Sequence, residues 1–211
     1  MPVEQMHDQF RIALPAPAGQ PLSEFNHHLA GAVVLLIGVS AILIHVRPQK
    51  FDSLKYVWPL SLLGLGAYLI VYSDPYAWPS GHLGLAESLE NPRVRQHKIY
   101  ALLLLIMGAI ELARTVGIAR SNNWKFAFPA LAAAGALYLI VHQHGGGPGE
   151  HMHEEQMAFI LYQHIVYVIV GAGIAVTRAL HDLGKLPRLY GPYVWPSLTV
   201  FLGLMLMLYA E

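Results

Sequence analysis

The chain reads as an all-α integral membrane protein, with six transmembrane helices arranged as three repeated helical hairpins and both termini outside. Three observations predict this. Of the 211 residues, 55% are hydrophobic and only 12% charged, a balance that belongs to membrane proteins rather than soluble domains. Six apolar stretches can be read, roughly 25–46, 56–73, 98–118, 125–142, 156–178 and 194–210, and about 20 apolar residues suffice for a helix to cross the hydrocarbon core. Finally, histidine, proline and aromatic residues recur with a period of about 68 residues, the mark of one unit present three times.

Residues 1–24 form a polar, proline-bearing outer tail without the basic start and apolar core of a signal peptide. Residues 25–211 form a single six-helix membrane domain, with hairpins over about 25–74, 92–144 and 154–211. Ser23 and Asn91-Pro92 are fitting starts for the first and third helices, because a side-chain oxygen can cap the unpaired N–H groups there. The first, third and fifth helices carry His28, His97 and His164 at one point of each unit. Pro59, Pro129 and Pro196 then open the second helix of each hairpin, where the missing N–H costs nothing. Each proline follows an aromatic cluster: Tyr56-Val57-Trp58, Trp124 to Phe128, and Tyr193-Val194-Trp195. Tyr72, His142 and Tyr209 end the even segments, which are short and use their Trp and Tyr as interface anchors. Glycine and alanine inside the spans permit close helix approach. The hairpins can then close around a pseudo-threefold axis or form a linear array.

Orientation follows from the basic residues. Arg47, Lys50, Lys55, Arg114, Arg120, Lys125, Arg178, Lys185 and Arg188 gather after the odd segments, whereas Arg11, Arg93, Arg95 and Lys98 lie on the other side. The positive-inside rule puts the first group in the cytoplasm. The expected location is the bacterial inner (cytoplasmic) membrane, with the histidine-rich face outside and the lipid bilayer as the obligatory partner. The absence of cysteine excludes disulfides, thiolate metal sites and cysteine nucleophiles. A formal net charge of zero gives no argument for nucleic-acid binding.

The chemistry rests on histidine. An imidazole in hydrocarbon is costly unless paired, so His28, His97 and His164 are functional candidates. Entering from three repeated hairpins, they can converge on one ion, with His142 and His144 as a further ligand or relay. The outer loop 143–155 is rich in glycine, histidine and methionine, and His144, His151, Met152 and His153 form a capture segment there. Imidazole with thioether favours copper, with zinc as an alternative. Two of the membrane histidines can instead hold haem b. Helix-bridging hydrogen bonds are the bland alternative for all three. Glu111 and Arg114, three apart on one helix face, are expected to pair.

With six spans, outer-face histidines, the segment Arg95-Gln96-His97-Lys98-Ile99-Tyr100, the Gln163-His164 pair and the His142-x-His144 run, the chain resembles the bacterial copper resistance protein D family of polytopic membrane proteins. It is also similar to copper-dependent assembly factors of terminal oxidases. Either resemblance implies copper handling at the outer face, serving an outer-face cuproenzyme or a membrane complex. The function expected is therefore copper capture, transfer or transport without catalysis. A b-type haem electron-transfer protein and a non-catalytic scaffold subunit are the alternatives. A zinc enzyme would need a general base such as Glu150, Glu154 or Glu155 folded over the site.

Overall fold

Among the described residues every regular element is helical. The computed structural model describes residues 19–141 and 154–210, with side chains from 22 and from 157 onward. Helix α1 spans Gly19–Val46, followed by the single turn α2 at Pro48–Phe51 and a 3₁₀ turn at Asp52–Tyr56. Then come α3 (Val57–Tyr72), the short helix α4 (Leu85–Glu90) and α5 (Pro92–Thr115). A 3₁₀ turn at Asn122–Phe126 leads into α6 (Ala127–Tyr138), which tightens to 3₁₀ over Leu139–Val141. Helices α7 (Glu154–Asp182) and α8 (Gly191–Met207) complete the molecule.

Local chemistry sets these boundaries. Asn91 caps α5 by accepting from the N–H groups of Arg93 and Val94, and Pro92 sits at the first helical position. Helices α5 and α7 end in the same motif. Gly117 and Gly184 adopt positive φ (78° and 67°), Ile118 N–H donates to the Ala113 carbonyl, and Lys185 N–H donates to that of Leu180. These are Schellman ends, which need a residue at ease in the left-handed region.

Four segments are long and apolar enough to cross a membrane: Leu22–Val46, Pro48–Tyr72, Asn122–Val141 and Met157–Asp182. Helix α8 is apolar but shorter, and α5 carries Arg93, Arg95, Lys98, Glu111 and Arg114. Leu36, Leu60, Leu137, Phe159, Ile169 and Phe201 turn outward from five helices and are exposed. Apolar surface spread around a whole bundle is what lipid contact requires and what a soluble protein avoids. The chain is an integral membrane protein.

The six long helices form a closed ring in the order α1, α3, α5, α6, α7, α8, each touching the next and α8 returning to α1. The closest pairs join different hairpins. A Cβ on Gly31 would lie 2.8 Å from the Gly203 carbonyl oxygen, and one on Gly38 would lie 2.9 Å from that of Pro196. Pair α3–α5 repeats this: a Cβ on Gly66 would meet the Ala101 carbonyl oxygen at 2.9 Å and one on Gly108 that of Pro59 at 2.9 Å. Backbones this close maximise dispersion contact, the main attraction between helices in lipid. Ile37, Leu62, Met107, Phe128, Val170 and Ile174 form the buried core.

Candidate functional site

The ring encloses a cavity of about 350 Å³, apolar along its length and polar at one end. The rim of that end carries Asn26, His27, Ser73, His97 and His164, with Tyr100 and Tyr167 just below. Trp58 and Phe128 line its inner end, ring centroids 4.7 Å apart and edge to face. Trp195 tilts against Trp58 at 4.8 Å, and the Arg178 guanidinium lies 4.8 Å from both indoles. That stack gives the cavity a rigid aromatic floor. Arg178 is held in turn by a 2.9 Å bond from Nε to Asp182. The indole N–H groups of Trp58 and Trp195 are buried without an acceptor among the described residues.

Each rim imidazole has Nδ1 bound to a fixed acceptor. His27 Nδ1 donates to the Ser23 carbonyl at 2.8 Å, and His164 Nδ1 to that of Ile160 at 2.7 Å. His97 Nδ1 donates to the Asp74 carboxylate at 3.0 and 3.1 Å. Since those acceptors carry no proton of their own to give, each ring has a hydrogen on Nδ1. Tyr209, 2% exposed, stacks on His27 at 3.8 Å and meets His164 edge on at 6.1 Å.

Asp74 joins the outer ends of α3 and α5. It accepts from Ser73 Oγ at 2.6 Å as well as from His97, and Lys98 Nζ stands 3.9 Å away while donating to the Ile70 carbonyl at 2.7 Å. Burial alone would raise its carboxyl; the hydrogen bonds from His97 and Ser73 and the Lys98 charge outweigh that and hold it below the ordinary carboxylate range. Amides close the hairpins at the same level. Gln96 donates to the Val141 carbonyl at 2.6 Å, Gln163 to that of Ala210 at 2.9 Å, and Asn26 accepts from Tyr68 at 2.9 Å.

The structure brings two of the three histidines expected at the site, His97 and His164, to the cavity. His28 is exposed on α1, its Nε2 donating to the Tyr209 carbonyl at 3.0 Å, and the neighbouring His27 takes the inward position. A signal for His27 was in the sequence: an amide residue precedes the inward histidine each time, as Asn26-His27, Gln96-His97 and Gln163-His164. His142, His144, His151, Met152 and His153 lie outside the described residues. Glu111 and Arg114 pair as expected, at 2.6 Å, beside a second, basic pocket lined by Arg120 and Lys125.

Copper handling is overturned. Among the described residues no group of three or more His, Cys, Asp or Glu side chains is placed to hold a metal ion. The even histidine spacing brings rings to one rim, but as hydrogen-bonded walls rather than converging ligands. The family comparison points the same way. The LiaF transmembrane domain model matches residues 29–147, from α1 through α6. No curated protein and no solved structure matches the chain. The expected kinship with the copper resistance protein D family is thereby corrected. The matched stretch is more than half of the 211 residues, and the chain belongs to the LiaF transmembrane domain family.

Proposed function

We propose that this protein is a membrane-embedded regulatory component of a stress response. The observation that carries the reading is the family match over residues 29–147. The bundle supports it in kind: a ring of helices around a cavity gives a body whose shape can depend on its membrane surroundings. In this reading residues 25–211 act as one domain, and all six long helices cross the bilayer as three related hairpins. Both ends, the 1–24 tail and the 143–155 loop face outward, and the turns bearing Arg47, Lys50, Arg120, Lys125, Lys185 and Arg188 face the cytoplasm of a bacterium. The test is to delete the coding sequence in its host and record transcription with and without a membrane-perturbing agent. An altered stress-induced transcript set, restored by the intact chain, is the expected result. An identical response in both strains would overturn the proposal.

A further inference from the structure

The geometry points to the central cavity as a binding site for one uncharged amphiphile taken from the bilayer, its hydrogen-bonding head at the histidine rim and its apolar body against Trp58 and Phe128. This stands on the cavity itself and is independent of the regulatory reading.

Size, polarity and charge each support it. A volume of about 350 Å³ falls among small-molecule sites and is more than twice that of a cavity able to hold benzene. From His97 to Gly108, whose backbone faces Pro59, α5 runs 11 residues, or about 16 Å at 1.5 Å per residue. The chamber is therefore long enough for an extended chain of about a dozen carbons. Polar side chains gather at the outer end, and apart from Thr199, whose hydroxyl donates to the Trp195 carbonyl, the walls between rim and floor are apolar. Among the described residues no Asp, Glu, Lys or Arg lines it. An ionic head brought to this rim, where the Asp74 charge already faces His97 and Lys98, would lose its hydration without an opposite charge to spare, whereas a hydroxyl or carbonyl needs only hydrogen bonds. The rim rings are held in place by their Nδ1 bonds, so little ordering is required of them on binding.

The test uses the full chain in detergent and dibromododecanol, an uncharged alcohol whose bromines quench nearby indoles. Saturable quenching with one alcohol per chain is expected. Gly135→Phe should weaken it at least tenfold, because a side chain there has room to grow into the cavity: its Cβ meets nothing nearer than Leu103 at 3.9 Å. Ala132→Phe, from the next turn of α6, should act alike. Trp78→Phe with Trp124→Phe, two exposed indoles outside the cavity whose loss leaves Trp58 and its neighbour Trp195, should keep the midpoint and raise the fraction of fluorescence quenched. Quenching that rises linearly with alcohol in the micelle, or that survives both filling variants in protein with unchanged helical circular dichroism, would overturn the site. Tighter binding of the matched carboxylate, dibromododecanoate, would overturn the uncharged head. Should both filling variants fail to fold, the Trp78→Phe, Trp124→Phe protein decides: saturable quenching of its remaining floor indoles is expected, and its absence places the alcohol elsewhere and overturns the site.

Discussion

Asp74 is the residue on which the outer end of the bundle depends most directly. Its carboxylate gathers His97, Ser73 and Lys98. Hydrogen bonds to a buried charge are worth about 1.5–3 kcal/mol each in net stability, and losing the charge while keeping the shape should cost less than their sum. Asp74→Asn should therefore lower stability by about 1–3 kcal/mol at pH 7, read by thermal unfolding in detergent. The sign of its pH dependence follows from the depressed carboxyl. The contribution is fully present above the unfolded value of about 4 and disappears as pH falls through the lower folded value. Wild type and variant should thus converge in acid; a constant gap from pH 7 down to pH 3 would refute the assignment. Trp58→Phe removes an indole N–H that has no acceptor and also part of the Arg178 contact, two effects of about 1 kcal/mol and opposite sign. Its melting point should stay within a few degrees of wild type. At this scale the sequence reads well where chemistry is repeated and poorly where it is duplicated. Histidine at the same point of each unit was legible, but in the pair His27-His28 the choice depends on how α1 is rotated about its axis.

Between elements, close approach at glycine replaces the driving force that water would supply. Gly203 lies against the backbone of Leu35 and the Gly31 carbonyl, so Gly203→Leu must push α8 away from α1. A loss of about 1–3 kcal/mol or more is expected, as for other overpacked sites. Gly64, on α3, has no atom within 4 Å of a Cβ placed there. Gly64→Ala should raise stability by about 0.5–1 kcal/mol, the ordinary helix-propensity gain. Unfolding in a denaturing detergent titration reads both changes, and equal effects of one sign would contradict the packing described. The Asn91-Pro92 start of α5 was legible, because a cap is set within a few residues, whereas Ser23 lies inside α1 and Pro196 inside α8, which begins five residues earlier at Gly191. Which helices become neighbours was not. The spans are apolar on nearly every side, so periodicity marks no inner face, and the glycines that choose partners are scattered among others that choose nothing.

For the whole molecule, the sidedness proposed above has a direct check, since the chain contains no cysteine. Ser80→Cys, on the outer loop, should react with a membrane-impermeant maleimide in intact cells. Ser53→Cys, in the first basic turn, should react only after permeabilisation. The reverse pattern would invert the topology. Hydropathy made the membrane class plain from the sequence, and the recurring histidines suggested that three hairpins might share an axis. Their chemical use was not legible, because a histidine that walls a cavity and one that grips an ion are spelled identically. The seam between α1 and α8 carries a consequence for how the protein comes into being. At about 5–20 residues per second, the stretch from Val46 to Gly191 takes on the order of ten seconds to synthesise. Throughout that interval α1 holds its glycine face towards lipid, awaiting a partner that has not yet been translated. Ring closure therefore waits for α8, and the cavity has no complete wall until that helix has been synthesised.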